Sequence, residues 1–264
     1  MIYLRAAHLD RTTELPDRYP FSLPVISTLE RLEFSSAVTF FAGENGTGKS
    51  TLLESIAAGV DSVSVRGGDR QTEETLAHAR ELAGALRFEW AKRTRQGFFL
   101  RAEDFFDYTK RLSGLVAEME GLAADFDGRL EGYGRGLAIS AVLGEQRALV
   151  ERYGGDLNAR SHGESFLDFF AARFVKPGLY LLDEPDTALS PQSVLALLSM
   201  IKRMAGEGSQ FLIATHSPML MAYPDAQIFS FDSAPIAEVP FQAVEQIALM
   251  RSFLEQPSAY LRRL

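Results

Sequence analysis

Eight consecutive residues, Gly43-Glu44-Asn45-Gly46-Thr47-Gly48-Lys49-Ser50, fit the pattern G-x-x-x-x-G-K-[ST] at every fixed position. The chemistry they can do is to hold a polyphosphate. Glycines let the backbone pass close to phosphate oxygens with its N–H groups turned inward. A helix starting at Lys49 would add its positive end. Lys49 would reach the β- and γ-phosphates, and Ser50 would ligate Mg²⁺. Gly43 to Ser50, with Thr51 behind them, are therefore the expected binding loop for a nucleoside triphosphate and Mg²⁺. The loop alone does not choose among kinases, GTPases, motors and transport ATPases.

Two further stretches carry groups suited to phosphoryl chemistry. Leu179-Tyr180-Leu181-Leu182-Asp183-Glu184-Pro185 is an apolar run ending in two adjacent carboxylates. At the C-terminal end of a parallel strand such a pair lies where open α/β sheets bind ligands. Asp183 is placed to hold Mg²⁺, and Glu184 to orient and deprotonate a water. Ala214-Thr215-His216-Ser217-Pro218 ends a second apolar run, and His216 there could hydrogen-bond the γ-phosphate or the attacking water. A fourth stretch, Ser161-His162-Gly163-Glu164-Ser165, precedes the amphipathic run Phe166 to Phe174. Ser161 could cap that helix with Glu164 as its capping-box partner, and the same geometry makes an anion site.

The elements that must position these groups are visible in the apolar pattern. Ala37 to Ala42 is a short β-rich run before the loop, and Thr51 to Ala58 reads as a helix stopped by Gly59. Residues 1 to 36 read as an irregular β segment broken by Pro16, Pro20 and Pro24. Arg87-Phe88-Glu89-Trp90 and Phe98-Phe99-Leu100-Arg101 read as two strands that could form a hairpin. From about Ala102 to Phe174 apolar residues recur at helical spacing, at Leu112, Leu115, Val116, Met119, Leu137, Ile139 and Leu143. Strands return at Gly178 to Leu182 and Gln210 to Ala214. Between them Ser190 and Pro191 start a helix whose expected buried face is Val194, Leu195, Leu198 and Ile201. That βαβ order implies a parallel sheet. Late strands at 226–231 and 236–241, an edge hairpin, and a helix from Ala243 to Leu254 complete the chain. No heptad run is long enough for a coiled-coil arm.

The chain has 264 residues, 46% of them hydrophobic and 19 of them Phe, enough for a sizeable core. With 35 acids against 27 bases its net charge is -8, which disfavours general nucleic-acid binding. Lys92, Arg93 and Arg95 cluster before Gly97 and read as a solvated turn. There is no cysteine, and the four histidines are too widely spaced for a zinc motif. No signal peptide or membrane-length apolar run is visible, so a cytoplasmic location is expected.

In this order the four motifs resemble those of ATP-binding cassette (ABC) ATPases: Walker A at Gly43 to Ser50, the signature at Ser161 to Glu164, Walker B at Leu179 to Glu184, and the switch histidine at His216. Ser161 lies 183 − 161 = 22 residues before Asp183, and His216 lies 216 − 183 = 33 after it. The chain is most similar to small bacterial AAA/ABC-like ATPases, on Tyr19-Pro20-Phe21, Gly97 to Glu103 and Ser161 to Phe166. The resemblance implies an α/β P-loop NTPase fold of ABC-ATPase type. It would have a mostly parallel central sheet, an antiparallel β part and a helical subdomain at 102–174, with 1–101 and 175–264 as the nucleotide-binding core. It implies an Mg-dependent ATP hydrolase with Lys49, Glu184 and His216 as catalytic groups. Ser50, Asp183 and, in the Q-loop position, Glu103 would hold the metal; Gln96 and Arg101 lie near the same place. Tyr19 or Phe21 would stack the adenine. Ser161, Gly163 and Glu164 would bind the ATP of a second subunit in a head-to-tail homodimer, with room for an unidentified protein or nucleic-acid partner. An ATP-gated clamp and a transporter's nucleotide-binding subunit are the rival readings. One departure stands out: Thr187-Ala188-Leu189-Ser190 occupies the D-loop, so its usual aspartate is missing.

Overall fold

A computed structural model describes residues 1–12, 15–63, 71–129, 132–152, 162–174, 176–187 and 189–262. In chain order the elements are β1 (Leu4–Leu9), α1 (Pro24–Ser27), β2 (Arg31–Glu33), β3 (Val38–Ala42), α2 (Lys49–Gly59), α3 (Gln71–Ala85), β4 (Leu86–Trp90) and β5 (Phe99–Arg101). Then come α4 (Ala102–Arg129), α5 (Gly132–Arg152), α6 (His162–Arg173), β6 (Leu179–Asp183), α7 (Pro191–Gly206) and β7 (Gln210–Ala214). The chain closes with α8 (Pro218–Met221), β8 (Gln227–Ser230), β9 (Ala237–Glu238), α9 (Glu245–Glu255) and α10 (Pro257–Leu261).

The larger sheet has the order β5-β6-β7-β3-β8-β9, parallel except for the antiparallel edge pair β8–β9. Its central strands are buried on both faces, which is why β3, β6 and β7 read as unbroken apolar runs. Side chains alternate between two cores. Val38, Phe40, Tyr180, Leu182, Phe211 and Ile213 face one, while Phe41, Leu179, Leu181 and Leu212 face the other. The first core is dominated by aromatic rings. Phe166, Phe169 and Phe170 on α6, with Phe174 just after it, stack and edge against Phe98, Phe105, Tyr180 and Phe211. This packing fixes the start of α6 relative to β5 and β6.

A second sheet, β2-β1-β4, is antiparallel and packs on the opposite core with α1 and α2. Two buried amides tie the sheets together. Gln210 on β7 accepts N–H bonds from Tyr3 and Leu4, both at 2.8 Å, and donates to Leu4 O at 2.9 Å. Gln227 on β8 accepts from Ser35 N–H at 3.0 Å and donates to Glu33 O at 2.9 Å.

Three expectations change. β4 and β5 do not form a hairpin: β4 pairs antiparallel with β1, whereas β5 pairs parallel with β6. The turn between them crosses from one sheet to the other. On α7, Leu195 is 56% exposed, and Leu197 takes the buried place with Val194, Ile201 and Met204. The period-3.6 face admits either leucine, and the contact with β7 selects Leu197. Finally, α3 was not anticipated from its weak apolar pattern; it packs against α2. Ser190 does cap α7, accepting the Ser193 N–H, with Pro191 first in the helix.

Candidate functional site

The phosphate-type loop joins the end of β3 to the start of α2. Gly46 and Gly48 have φ of +81° and +101°, conformations that side-chain-bearing residues rarely adopt. A Cβ on Gly48 would also meet Val25 at 2.9 Å. Gly48 caps α2 without a side chain, so no side chain of the cap residue covers the N–H groups that open the helix. A cradle of inward N–H donors at a helix N-terminus suits a phosphate chain. Lys49 is buried; its Nζ donates to Gly43 O and Glu44 O, both at 2.7 Å. Burial lowers its pKa, opposed by the charges of Glu184, Asp183, Asp232 and Glu44.

The parallel pairing of β3, β7 and β6 carries Asp183 to this loop. Ser50 Oγ donates to Asp183 Oδ1 at 2.9 Å, although the two lie 133 residues apart. Two hard oxygen donors at this spacing suit Mg²⁺ completed by water and phosphate oxygens. Glu184 leaves the strand in the left-handed region, with φ of +49°, a strain found most often at functional sites. Its N–H is held by Ala214 O at 2.8 Å, and Thr187 Oγ1 donates to its Oε2 at 3.3 Å. His216 Nε2 stands 3.4 Å from Glu184 Oε1 without hydrogen-bond alignment, so a buried ring nitrogen is left unsatisfied. An orphaned imidazole nitrogen beside a carboxylate fits a site awaiting a phosphoryl oxygen or a water.

Burial pushes the Asp183 carboxyl up to about 6; the Ser50 hydrogen bond and the Arg101 charge offset this, and Glu184 adds to it. The folded state thus holds its proton more tightly than the unfolded chain. Stability therefore falls as pH rises from about 4 to about 6, and the cost is fully present above that window. Asp183→Asn is expected to stabilise the ligand-free protein by about 1–3 kcal/mol at pH 7.5 and by almost nothing at pH 4. Urea unfolding of both proteins at the two pH values checks this; an equal effect at both would contradict it.

Three participants were not found from the sequence or only weakly. Arg101, at the end of β5, spans three carboxylates: Glu54 at 3.0 Å, Glu103 at 3.3 Å and Asp183 at 3.7 Å. The β5–β6 register sets Arg101 opposite Asp183. Glu103 is 83% exposed and turned to Arg101, so the guanidinium rather than Glu103 approaches Asp183. Asp232, just past β8, accepts the Glu44 N–H at 2.9 Å and braces the base of the loop. A Cβ on Gly43 would come within 3.0 Å of that carboxylate, which accounts for the first glycine. Asp186 accepts from the buried Thr215 hydroxyl at 2.5 Å, joining the turn after Glu184 to the residue before His216. Signals existed for Arg101 only, as a charge ending a strand.

The remaining expected residues sit as follows. Asn45 and Thr47 lie in the loop, where Thr47 Oγ1 donates to Glu44 O at 2.8 Å. The Tyr19 hydroxyl is 3.1 Å from Thr51 Oγ1, and its ring meets His78 edge-on at 5.0 Å. Phe21 is buried in the core behind the loop. Ser161 and Ala188 lie outside the described residues. Gly163 and Glu164 occupy the first turn of α6, which begins at His162. Among the described residues no helix is long and apolar enough to cross a membrane, and no group of three or more His, Cys, Asp or Glu could hold a metal by itself.

Residues 149–222 match the family model described as "AAA domain, putative AbiEii toxin, Type IV TA system", and residues 25–98 match a second AAA-domain model. The hemin import ATP-binding protein HmuV of Rhodopseudomonas palustris (strain BisB5) is 28% identical over 216 residues, covering 76% of this chain and 74% of that protein. Among solved structures, the Smc head domain of Pyrococcus furiosus bound to the C-terminal domain of ScpA superposes with a TM-score of 0.51 at 14% identity, covering 98% of this chain and 100% of that one. The ADP conformation of MJ1267, an ATP-binding cassette of an ABC transporter, gives 0.48 at 16% identity, covering 99% of each chain.

Proposed function

We propose that this chain, an ABC-type P-loop ATPase domain, hydrolyses ATP to ADP and phosphate between two copies of itself arranged head to tail. The observation that carries the reading is the convergence of Ser50, Asp183, Glu184 and His216 at the mouth of one phosphate cradle, from three separate strand ends. When bound, Mg²⁺ would be held by Ser50 and Asp183 and would neutralise charge on the β- and γ-phosphates. Lys49 leaves its loop carbonyls to hold the same phosphates. Glu184 takes the proton of a water lined up with the γ-phosphorus, and His216 Nε2 donates to a γ-oxygen as charge develops there. Tyr19, exposed beside Thr51, offers its ring to the adenine; Phe21, locked in the core, does not. The first turn of α6, with Ser161 ahead of it, supplies the cap over the second copy's nucleotide. Helices α4 to α6 act as the subdomain that carries this cap, at 102–174. The cytoplasm, where ATP is plentiful, is the compartment this chemistry suits.

A second reading draws on α4 and α5, which pack on one another as a two-helix hairpin of 28 and 21 residues. A lever of that length favours an ATP-gated clamp on a protein or nucleic acid. The hemin-import relative supports instead a subunit that drives a membrane transporter.

The test is the solution mass of Glu184→Gln protein with and without Mg-ATP. The amide keeps nucleotide binding and removes the base, so a doubling of mass only with Mg-ATP is expected. A protein that binds Mg-ATP and stays at one chain mass would sink the shared-site reading.

A further inference from the structure

At the far end of α2 from the phosphate loop lies a second concavity, with a volume of about 700 Å³. That is within the size range of small-ligand sites. Its walls include Phe88 and Trp90 of β4, together with Arg87, Arg93, Arg95 and Asp61. Trp90 is the only tryptophan in the chain. Arg87 is engaged with Asp10 at 2.7 Å, but Arg93 and Arg95 form no ion pair and no side-chain hydrogen bond with any described residue. Lys92, Arg93 and Arg95 are exposed, as a solvated turn should be, and Arg93 and Arg95 also border a cavity with an aromatic wall.

The turn is also held in place. Ala91 and Lys92 donate N–H bonds to Tyr3 O at 2.8 and 3.2 Å, and Thr94 Oγ1 accepts the Gln96 N–H at 3.0 Å. Beyond it, Gly97 is wedged against β6. Phe88 is fixed by the end of α2, where a Cβ on Gly59 would overlap its ring at 2.3 Å. Two arginines with no ion-pair partner among the described residues, on a turn whose backbone is anchored beside two rings, form a site suited to an anion attached to a flat ring. Asp61 adds an acceptor suited to an amide or amino N–H on that ring.

We propose that this cavity binds a nucleotide unit, its base stacked on Trp90 and its phosphate held by Arg93 and Arg95, separately from the ATP loop. The unit has two sources, a free mononucleotide or one residue of a single strand. Base stacking on aromatic rings beside arginines serves both.

Trp90 provides its own readout. Its fluorescence is titrated with uridine 5′-monophosphate and with hexathymidylate, once with Mg-ADP filling the loop and once in Lys49→Ala protein. Quenching by both probes with similar affinity identifies a free nucleotide; quenching by the hexamer alone identifies a strand. In either case the Arg93→Ala/Arg95→Ala protein is expected to bind at least tenfold more weakly, with unchanged circular dichroism and unchanged ATP turnover. No quenching by either probe overturns the proposal. So does quenching that the double substitution leaves undiminished.

Discussion

Gly97→Ala protein is expected to lose about 4 kcal/mol or more of folding stability, an effect at the extreme of single substitutions. Gly97 has φ of +113°, and a Cβ there would lie 1.8 Å from Leu179 O and 2.6 Å from Leu179 C. Both neighbours are backbone, so no side chain can swing aside. Gly178 faces it with the same lack of clearance, 2.5 Å from Gln96 O. The bonds at stake start the β5–β6 ladder: Leu179 N–H to Gln96 O and Leu181 N–H to Phe98 O, both at 3.0 Å. Losing that register also separates Arg101 from Asp183. Gly114→Ala is the internal control. It sits within α4 with open space around its Cβ position, and is expected to gain up to about 1 kcal/mol from helix propensity. Urea unfolding of the two variants reads both signs. A Gly97→Ala protein within about 1 kcal/mol of the parent would show that β5 and β6 can part without cost.

Lys49→Ala is expected to weaken Mg-ATP binding at least about 100-fold, measured by equilibrium dialysis. Two charge-assisted hydrogen bonds to phosphate, at about 1.5–3 kcal/mol each, account for that loss. The same change is expected to move the ligand-free unfolding midpoint little. The two bonds from Nζ to Gly43 O and Glu44 O are lost, but so is the burial cost that depresses this ammonium's pKa. Binding and stability therefore separate. A variant that lost both together would place Lys49 in the scaffold rather than at the phosphates.

The sequence was most legible where one segment carries both the fold and the chemistry. The apolar runs of β3, β6 and β7 announce buried parallel strands, and the groups at their C-terminal ends then meet without further assumption. Ser190 and Pro191 opened α7 where a cap and a first-turn proline should. What stayed hidden depends on register and on long-range contact. Nothing in Phe98 to Arg101 says that β5 lies parallel to β6, so Arg101 could not be set opposite Asp183. Asp232 lies 188 residues from the Glu44 N–H it accepts, and a lone aspartate after a strand looks like any turn residue. Lys92, Arg93 and Arg95 are solvated as read, but the cavity that Arg93 and Arg95 border, made by α2 and β4, leaves no periodic trace.

The position of β3 has a further consequence, for the order in which the chain can be made. It is flanked on one side by β7 and on the other by β8. Its last residue is Ala42 and its first partner from β7 is Phe211, so 211 − 42 = 169 residues must be added before either neighbour exists. At roughly 5–20 residues per second, Phe40 and Phe41 leave the ribosome roughly 10–30 s before the strand that covers them. For that interval the segment Val38-Thr39-Phe40-Phe41-Ala42 is an unpaired, uncharged β-former, the kind of stretch that nascent-chain chaperones bind. The strand that organises the nucleotide site is thus the one most exposed to mispairing while the protein is being born.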